Sequence, residues 1–198
     1  RLVKNLGILE KNIIIVTGYQ AHSIKKLIGN KVTYFHNKNY STTNSLYSMW
    51  LTRHEDFSKG MLLFNSDVIF HKEILIKLIR KKGNTVAVDF SKKIVEGELN
   101  VIVENDKIIE ISKLVKVKEA HGESVQICKF DAEGSKILFK EANKIIKDNP
   151  SNQFFPSHLF KYIIKKVGLY AINIENYPWG EIDYIKDLKE IKNKKWIK

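Results

Sequence analysis

Met61-Leu62-Leu63-Phe64-Asn65-Ser66-Asp67 is an unbroken apolar run that stops in a polar triplet. Four large apolar residues without alternation describe a strand buried on both faces, as happens where helices cover a sheet from either side. The triplet then falls just outside the strand's carboxyl end. The same punctuation recurs upstream, where Asn12-Ile13-Ile14-Ile15-Val16 closes on Thr17-Gly18. Residues 22–28 follow as a short helix with Ile24, Leu27 and Ile28 on one face, stopped by Gly29-Asn30, and residues 32–35 form a second strand. A helix is predicted over 45–52, with Leu46, Met49 and Trp50 on its inner face and Ser41-Thr42-Thr43-Asn44 offering caps. Downstream of the triplet come a helix over 72–81, ended by Gly83-Asn84, and a strand over 85–88 that closes on Asp89.

Strand, helix, strand, helix, strand, helix, strand predicts an α/β fold: a doubly wound, mostly parallel (Rossmann-like) mixed sheet with helices on both faces. The middle of the chain adds an antiparallel hairpin insertion, 99–103 and 108–111, turned by Glu104-Asn105-Asp106-Lys107. A strand over 124–130 and helices over 132–147 and 157–166 follow, with Asn149-Pro150 as the break between the helices. Residues 169–174 read as a last strand, Pro178-Trp179-Gly180 as a loop and 185–191 as a closing helix. Leu2-Val3-Lys4-Asn5-Leu6-Gly7 reads as the tail of a helix, so the chain is expected to begin inside a domain.

Composition narrows the function classes. The 198 residues are 43% hydrophobic and 11% aromatic, enough for a real core and for one ordinary domain. No apolar stretch approaches the roughly 18 residues a bilayer span needs, and no secretory leader is readable, so neither membrane insertion nor export is expected. Cys128 is alone, which excludes an internal disulfide and suits a reducing cytoplasm. The net charge of +12 comes from 34 Lys+Arg of which only Arg1, Arg53 and Arg80 are arginine. The lysines are spread among many Ile and Asn, a pattern of AT-rich codon usage. A nucleic-acid binder clusters its charge and favours arginine for bidentate contacts, so no nucleic-acid partner is expected.

In open α/β sheets, ligands bind outside the carboxyl ends of the strands, where Asp67 sits. On its own, an Asp after a strand is more often a turn residue or a cap for the next helix. Near the end of the chain, Pro178-Trp179-Gly180-Glu181-Ile182-Asp183 sets two carboxylates two residues apart, on one side of an extended segment. That spacing suits a divalent metal, and Asp183 equally suits the N-cap of the closing helix.

Five blocks in order carry a family resemblance: Ile14-Ile15-Val16-Thr17-Gly18-Tyr19; Tyr40-Ser41-Thr42-Thr43-Asn44-Ser45-Leu46-Tyr47-Ser48-Met49-Trp50; Leu63-Phe64-Asn65-Ser66-Asp67-Val68; Ala120-His121-Gly122-Glu123-Ser124-Val125; and Trp179-Gly180-Glu181-Ile182-Asp183-Tyr184. Together they resemble the nucleotidyltransferases that activate small phosphorylated compounds, with the phosphocholine and 2-aminoethylphosphonate cytidylyltransferases as the nearest kinds. The resemblance covers 2–191 and implies one nucleotidyltransferase domain over 1–198. It implies attack of an acceptor's phosphate or phosphonate oxygen on the α-phosphate of CTP, with release of pyrophosphate. Such chemistry rests on positioning and charge neutralisation.

Carried over by position, the resemblance makes Asp67 and Asp183 the Mg²⁺ ligands and Lys113 a catalytic lysine facing phosphate. It places Glu123 near the acceptor, and Asp89 and Glu98 around the acceptor pocket. For an acceptor bearing an amine, an aromatic wall is expected, with Tyr47, Trp50, Tyr177 and Trp179 as candidates. Of these, Tyr47 and Trp179 are taken as substrate-binding, while Trp50 has the spacing of a core residue. Expected partners are CTP and a small phosphorylated acceptor, a homodimer is admitted, and the expected role is cytoplasmic supply of precursors for surface glycan or lipid.

Two departures from the family pattern stand out. The glycine-rich phosphate loop, with the strand before it and the helix after it, is missing ahead of Arg1, so the chain alone is expected to be impaired in turnover. Gln126 stands where such proteins tend to have glycine. Two other readings compete: a sugar-1-phosphate nucleotidyltransferase using UTP or dTTP, and a non-catalytic binding or assembly module.

Overall fold

A computed structural model describes residues 7–151, 153–174 and 176–192. The expected helix tail at Leu2 to Leu6 lies outside the described residues. The chain packs as two compact units, Arg1–Asp56 with Lys136–Leu159, and Phe57–Ser135 with Phe160–Lys198.

In the first unit, β1 (Ile14–Thr17) and β2 (Thr33–His36) pair in parallel across α1 (Ala21–Ile28), from Ile14 opposite Thr33 to Thr17 opposite His36. A parallel pair needs such a crossover, and the β-branched run of β1 supplies the strand. Gly18 ends β1 because Tyr40 lies against it: a Cβ there would meet the Tyr40 Cβ at 2.6 Å. Buried Asn37 pins the loop that follows β2, its Nδ2 donating to Thr43 Oγ1 and Ser48 Oγ at 3.1 Å each. Asn44 begins α2 (Ser45–Leu51), its side chain accepting from the Ser45 N–H at 2.7 Å. On α2, Leu46 and Met49 are buried, while the Trp50 indole donates to Asn143 at 3.3 Å.

The second unit carries β3 (Met61–Phe64), β4 (Val68–Phe70), α3 (Lys72–Arg80), β5 (Thr85–Asp89), β6 (Asn100–Glu104), β7 (Lys107–Ser112) and β8 (Gly122–Phe130). After α4 (Ala132–Asp148) come α5 (Phe160–Lys166), β9 (Tyr170–Asn173), β10 (Trp179–Glu181) and α6 (Ile185–Lys192). Six strands form one sheet in the order β3-β8-β5-β9-β7-β6, and β6 also pairs with β8, so five of them close into a small barrel.

The α/β class holds, but the sheet is not mostly parallel. Among the described residues of the six-stranded sheet only β5 and β9 run in parallel, and every other pairing is antiparallel. The reason is β8. Strands β3 and β5 point the same way across α3, as the alternation predicts, but the nine-residue β8 enters between them and runs against both. Its apolar residues Val125, Ile127, Cys128 and Phe130 are all buried, so it fits only in the middle of a sheet. The hairpin β6–β7 turns on Asn105 and Asp106, at φ 49° and 64°, the left-handed pair that a two-residue turn requires.

Val68, Ile74, Leu78, Ala87, Val125, Ile127, Ile172 and Ile174 form the core beneath α3, with Phe64, Phe70, Tyr177 and Trp179 packed on it. Fully burying each large aliphatic side chain contributes roughly 1.5–3 kcal/mol, so this cluster anchors the strand ends that carry polar residues. Among the described residues, no helix is long and apolar enough to cross a membrane.

Candidate functional site

Two short strands absent from the expected order create one end of the site. β4 and β10 pair antiparallel, Val68 opposite Glu181 and Phe70 opposite Trp179, and the ladder continues with the Ile182 N–H donating to the Asp67 carbonyl at 3.0 Å. The register brings the turn after β3 beside residues 181–183. Asp67 and Asp183 are thereby neighbours, both exposed.

Neither of these carboxylates caps a helix. At α3 the cap is His71, whose ring accepts from the Glu73 N–H. At α6 the Asp187 carboxylate reaches back to accept the N–H groups of Asp183 at 3.1 Å and Tyr184 at 2.8 Å. Glu181, opposite Val68 in the same ladder, is half-buried. Burial raises its carboxyl above the usual range, the hydrogen bond from Gln126 works against that rise, and the charges of Asp67, Glu98 and Asp183 add to it.

Among the described residues, no three His, Cys, Asp or Glu side chains converge as a metal cage. Asp67 and Asp183 instead offer two hard oxygen donors open to solvent. That partial shell suits Mg²⁺, which takes one or two carboxylates and completes its octahedron with water and phosphate oxygens.

A second end lies along the barrel. Asp89 on β5 and Asn100 on β6 both stand opposite Glu123 of β8, and Ser112 of β7 stands opposite Asn100. Residues directly opposite in a ladder share a face, so the four form one polar row across four strands. Gly122 precedes the row because a Cβ there would meet the Asp89 carbonyl at 2.9 Å and Val88 at 2.8 Å.

Asp89 is 8% exposed and fully engaged. One oxygen accepts from the Ser91 N–H, the Ser91 hydroxyl and the Lys92 N–H at 2.9, 2.7 and 3.1 Å, and the other accepts from the Trp179 indole at 2.8 Å. Burial alone would raise its carboxyl, but the hydrogen bonds from Trp179, Ser91 and Lys92 outweigh it and hold the group below the usual range. Glu123 is different. It is 3% exposed, one oxygen binds the Lys92 ammonium at 2.7 Å, and the other oxygen is buried with no hydrogen-bond partner among the described residues, as is Asn100 Oδ1. Its carboxyl is raised first by burial, eased by Lys92, and raised further by Glu98 and Asp89. Lys92 also lies over the Trp179 ring, 4.5 Å from its centroid.

The two ends are linked. Glu98 acts electrostatically on both Glu123 and Glu181. Gln126 spans from the turn after β3 to β10: its side-chain oxygen accepts from Asn65 Nδ2 at 2.6 Å and its amide nitrogen donates to Glu181. It does so from a bulge in β8, opposite the register shift between Val86 and Val88, at φ 60°. Left-handed backbone costs a non-glycine residue roughly 1–2 kcal/mol, which is the physical reason glycine suits this position.

The structure thus brings together Asp67, Asp183, Asp89, Glu98, Glu123 and Trp179 within the second unit. Lys113 is exposed one residue past β7. Tyr47 belongs to the first unit, where its ring lies 5.5 Å from that of Trp50. Sequence reasoning missed Lys92 as a site residue, since it is one lysine in a lysine-rich background. It also missed the bridging role of Gln126, whose only signal was its departure from glycine.

No family model and no curated protein matches the sequence. Solved structures do match in fold. The CTP:phosphocholine cytidylyltransferase of Streptococcus pneumoniae superimposes with a TM-score of 0.71 at 17% identity, over 96% of this chain and 80% of its own. The inositol-1-phosphate CTP transferase of T. maritima gives 0.71 at 16%, over 94% and 75%. A protein from Bacillus anthracis described as a glucose-1-phosphate thymidylyltransferase, in complex with sucrose, gives 0.71 at 16%, over 96% and 77%. The chain has the nucleotidyltransferase fold.

Proposed function

We propose that the chain is a single nucleotidyltransferase domain that transfers a cytidylyl group from CTP to a small phosphorylated or phosphonate acceptor bearing an amine. The observation that carries this reading is the polar row of β5, β8 and β6 ending against Trp179, on the fold of proteins named for CTP-dependent transfer. An ammonium is recognised by an aromatic face beside a carboxylate, and Trp179 with Glu123 supplies both. A sugar phosphate would instead be read by hydroxyl contacts.

In this reading the acceptor's phosphate oxygen attacks the α-phosphorus, the bond to the β-phosphate oxygen breaks, and pyrophosphate leaves. Asp67 and Asp183 would hold Mg²⁺. When bound, that cation supplies charge neutralisation to the triphosphate. The chain's own residues orient the acceptor: Asp89 fixes the Trp179 ring through its indole N–H, Glu123 and Glu98 draw the ammonium end, and Lys113 faces phosphate. Cytoplasmic supply of a precursor for surface glycan or lipid is the biological role this chemistry suits.

The sugar-1-phosphate reading, with UTP or dTTP, has its own support in the equal TM-score of the glucose-1-phosphate thymidylyltransferase. One experiment separates the readings. Pyrophosphate release is measured for CTP, UTP and dTTP against phosphocholine, 2-aminoethylphosphonate and glucose 1-phosphate. Release with CTP and an amino acceptor is expected; release only with glucose 1-phosphate selects the sugar reading. Calorimetry showing no magnesium-dependent heat with any nucleotide selects a non-catalytic module.

A further inference from the structure

The ammonium box is already filled. Lys92 Nζ sits 2.7 Å from Glu123 Oε1 and 4.5 Å from the centroid of Trp179, the two contacts a cationic acceptor would make. Asp89 aims it there, because the same carboxylate that orients the Trp179 indole also accepts the Lys92 N–H. The lysine is nevertheless held loosely. Its side chain is 45% exposed, against 4% for that of Glu123. Glu123 Oε2 meanwhile stays buried and, among the described residues, without a hydrogen-bond partner, so the carboxylate has capacity that the lysine does not use.

We propose that Lys92 is a tethered occupant of the ammonium subsite, displaced by the ammonium of the acceptor. The assignment deepens the amino-acceptor reading above and rests on it. While the site is empty, the lysine spares Glu123 from being an unpaired buried charge, which would otherwise be strongly unfavourable. When an acceptor arrives, the half-exposed lysine returns to water at small cost. A methylated ammonium is less strongly hydrated than a lysine and gains more from the Trp179 face. Occupancy by the tether lowers the apparent affinity for every competing cation by the fraction of time the box is free. Lys92 is thereby a specificity-determining residue: it turns away weakly bound cations and admits one that the rest of the acceptor also holds in place.

The test needs neither nucleotide nor turnover. Tetramethylammonium chloride is titrated into the full chain with sodium chloride as the ionic-strength control, and binding is followed by ligand-observed NMR. Lys92→Met is expected to bind tetramethylammonium about tenfold more tightly than the wild type, as removing an occupant present nine-tenths of the time would do. Glu123→Gln is expected to abolish binding. Unchanged or weaker binding by Lys92→Met overturns the proposal. Should Lys92→Met fail to fold, the wild type decides: acetylation of the Lys92 amine, read by mass spectrometry, is expected to rise at saturating tetramethylammonium, and unchanged labelling overturns the proposal. Displacement of Lys92 together with no pyrophosphate release for any amino acceptor would refute the reaction and leave the cation site standing.

Discussion

Two pairs of carboxylates among the candidate site residues stand in opposite physical conditions. Asp67 and Asp183 stand exposed at the ends of short strands, their helix-capping alternatives taken by His71 and Asp187. Asp89 and Glu123 lie in the barrel wall at 8% and 3% exposure, bound to an indole, a serine and a lysine. An exposed carboxylate with no internal partner contributes little to folding and is free to meet a ligand. A buried one that organises its surroundings belongs to the fold as much as to the chemistry. The first pair should therefore be separable into activity without stability, and the second should not.

The largest expected effect tests the first pair. Asp67→Asn and Asp183→Asn should each lower the turnover of the proposed reaction by about 10²–10³-fold, the range for removing one preorganised charge contact. Their unfolding free energies should stay within about 0.5 kcal/mol of the wild type, as for ordinary surface substitutions. Denaturant titration beside the pyrophosphate assay reads both quantities. A stability loss comparable to the loss of activity would erase the contrast.

Asp89→Asn tests the other pair. The amide sets an N–H group against either the Trp179 indole or the turn at Ser91 and Lys92, leaving a buried donor unpaired at a cost of about 1–3 kcal/mol. The sign of its pH dependence follows from the lowered carboxyl. Asp89 contributes stability above the ordinary value near 3.8 and loses that contribution as pH falls through its lower folded value. The stability gap between Asp89→Asn and wild type should thus be full at neutral pH and close on acidification through that window. A gap that persists at the acid end would mean that lost packing, not lost charge, sets the cost.

The contrast also explains what was legible in the sequence. Apolar runs announce buried strands, so β1, β3, β5 and the β6–β7 hairpin were readable, and with them Asp67 and Asp89 at strand ends. Strand β8 was readable as a strand but not as a neighbour: nothing in its residues says that it lies between β3 and β5. The pair β4 and β10 left no local signal, because three residues carry no period. Yet that pairing is what sets Asp67 beside Asp183. Lys92 was invisible for a different reason, since its role comes from Asp89 and Trp179, which are 3 and 87 positions away from it.

Gln126 couples the two ends, and it does so under backbone strain. Gln126→Gly relieves the left-handed conformation, a gain of roughly 1 kcal/mol, and removes the bridge from Asn65 to Glu181. The expected result is a protein at least as stable as the wild type whose turnover falls about 10-fold, in the range for losing a residue that orients ligands. Gln126→Ala loses the bridge and keeps the strain, so it should be the less stable of the two with similar turnover. Wild-type turnover in both variants would show that the turn after β3 and strand β10 hold their positions without the bridge.

The smallest effect bears on the alternative for Asp183. Asp187 accepts the N–H groups of Asp183 and Tyr184, the work that a capping Asp183 would otherwise have done. Asp187→Ala should cost about 1 kcal/mol, the usual value for a helix cap, while Asp187→Asn keeps an acceptor and most of that stability. Asp183→Ala should cost measurably less than Asp187→Ala, because its carboxylate accepts nothing from the helix. Equal losses at the two positions would return Asp183 to the role of a cap, and the open end of the site would then rest on Asp67 alone.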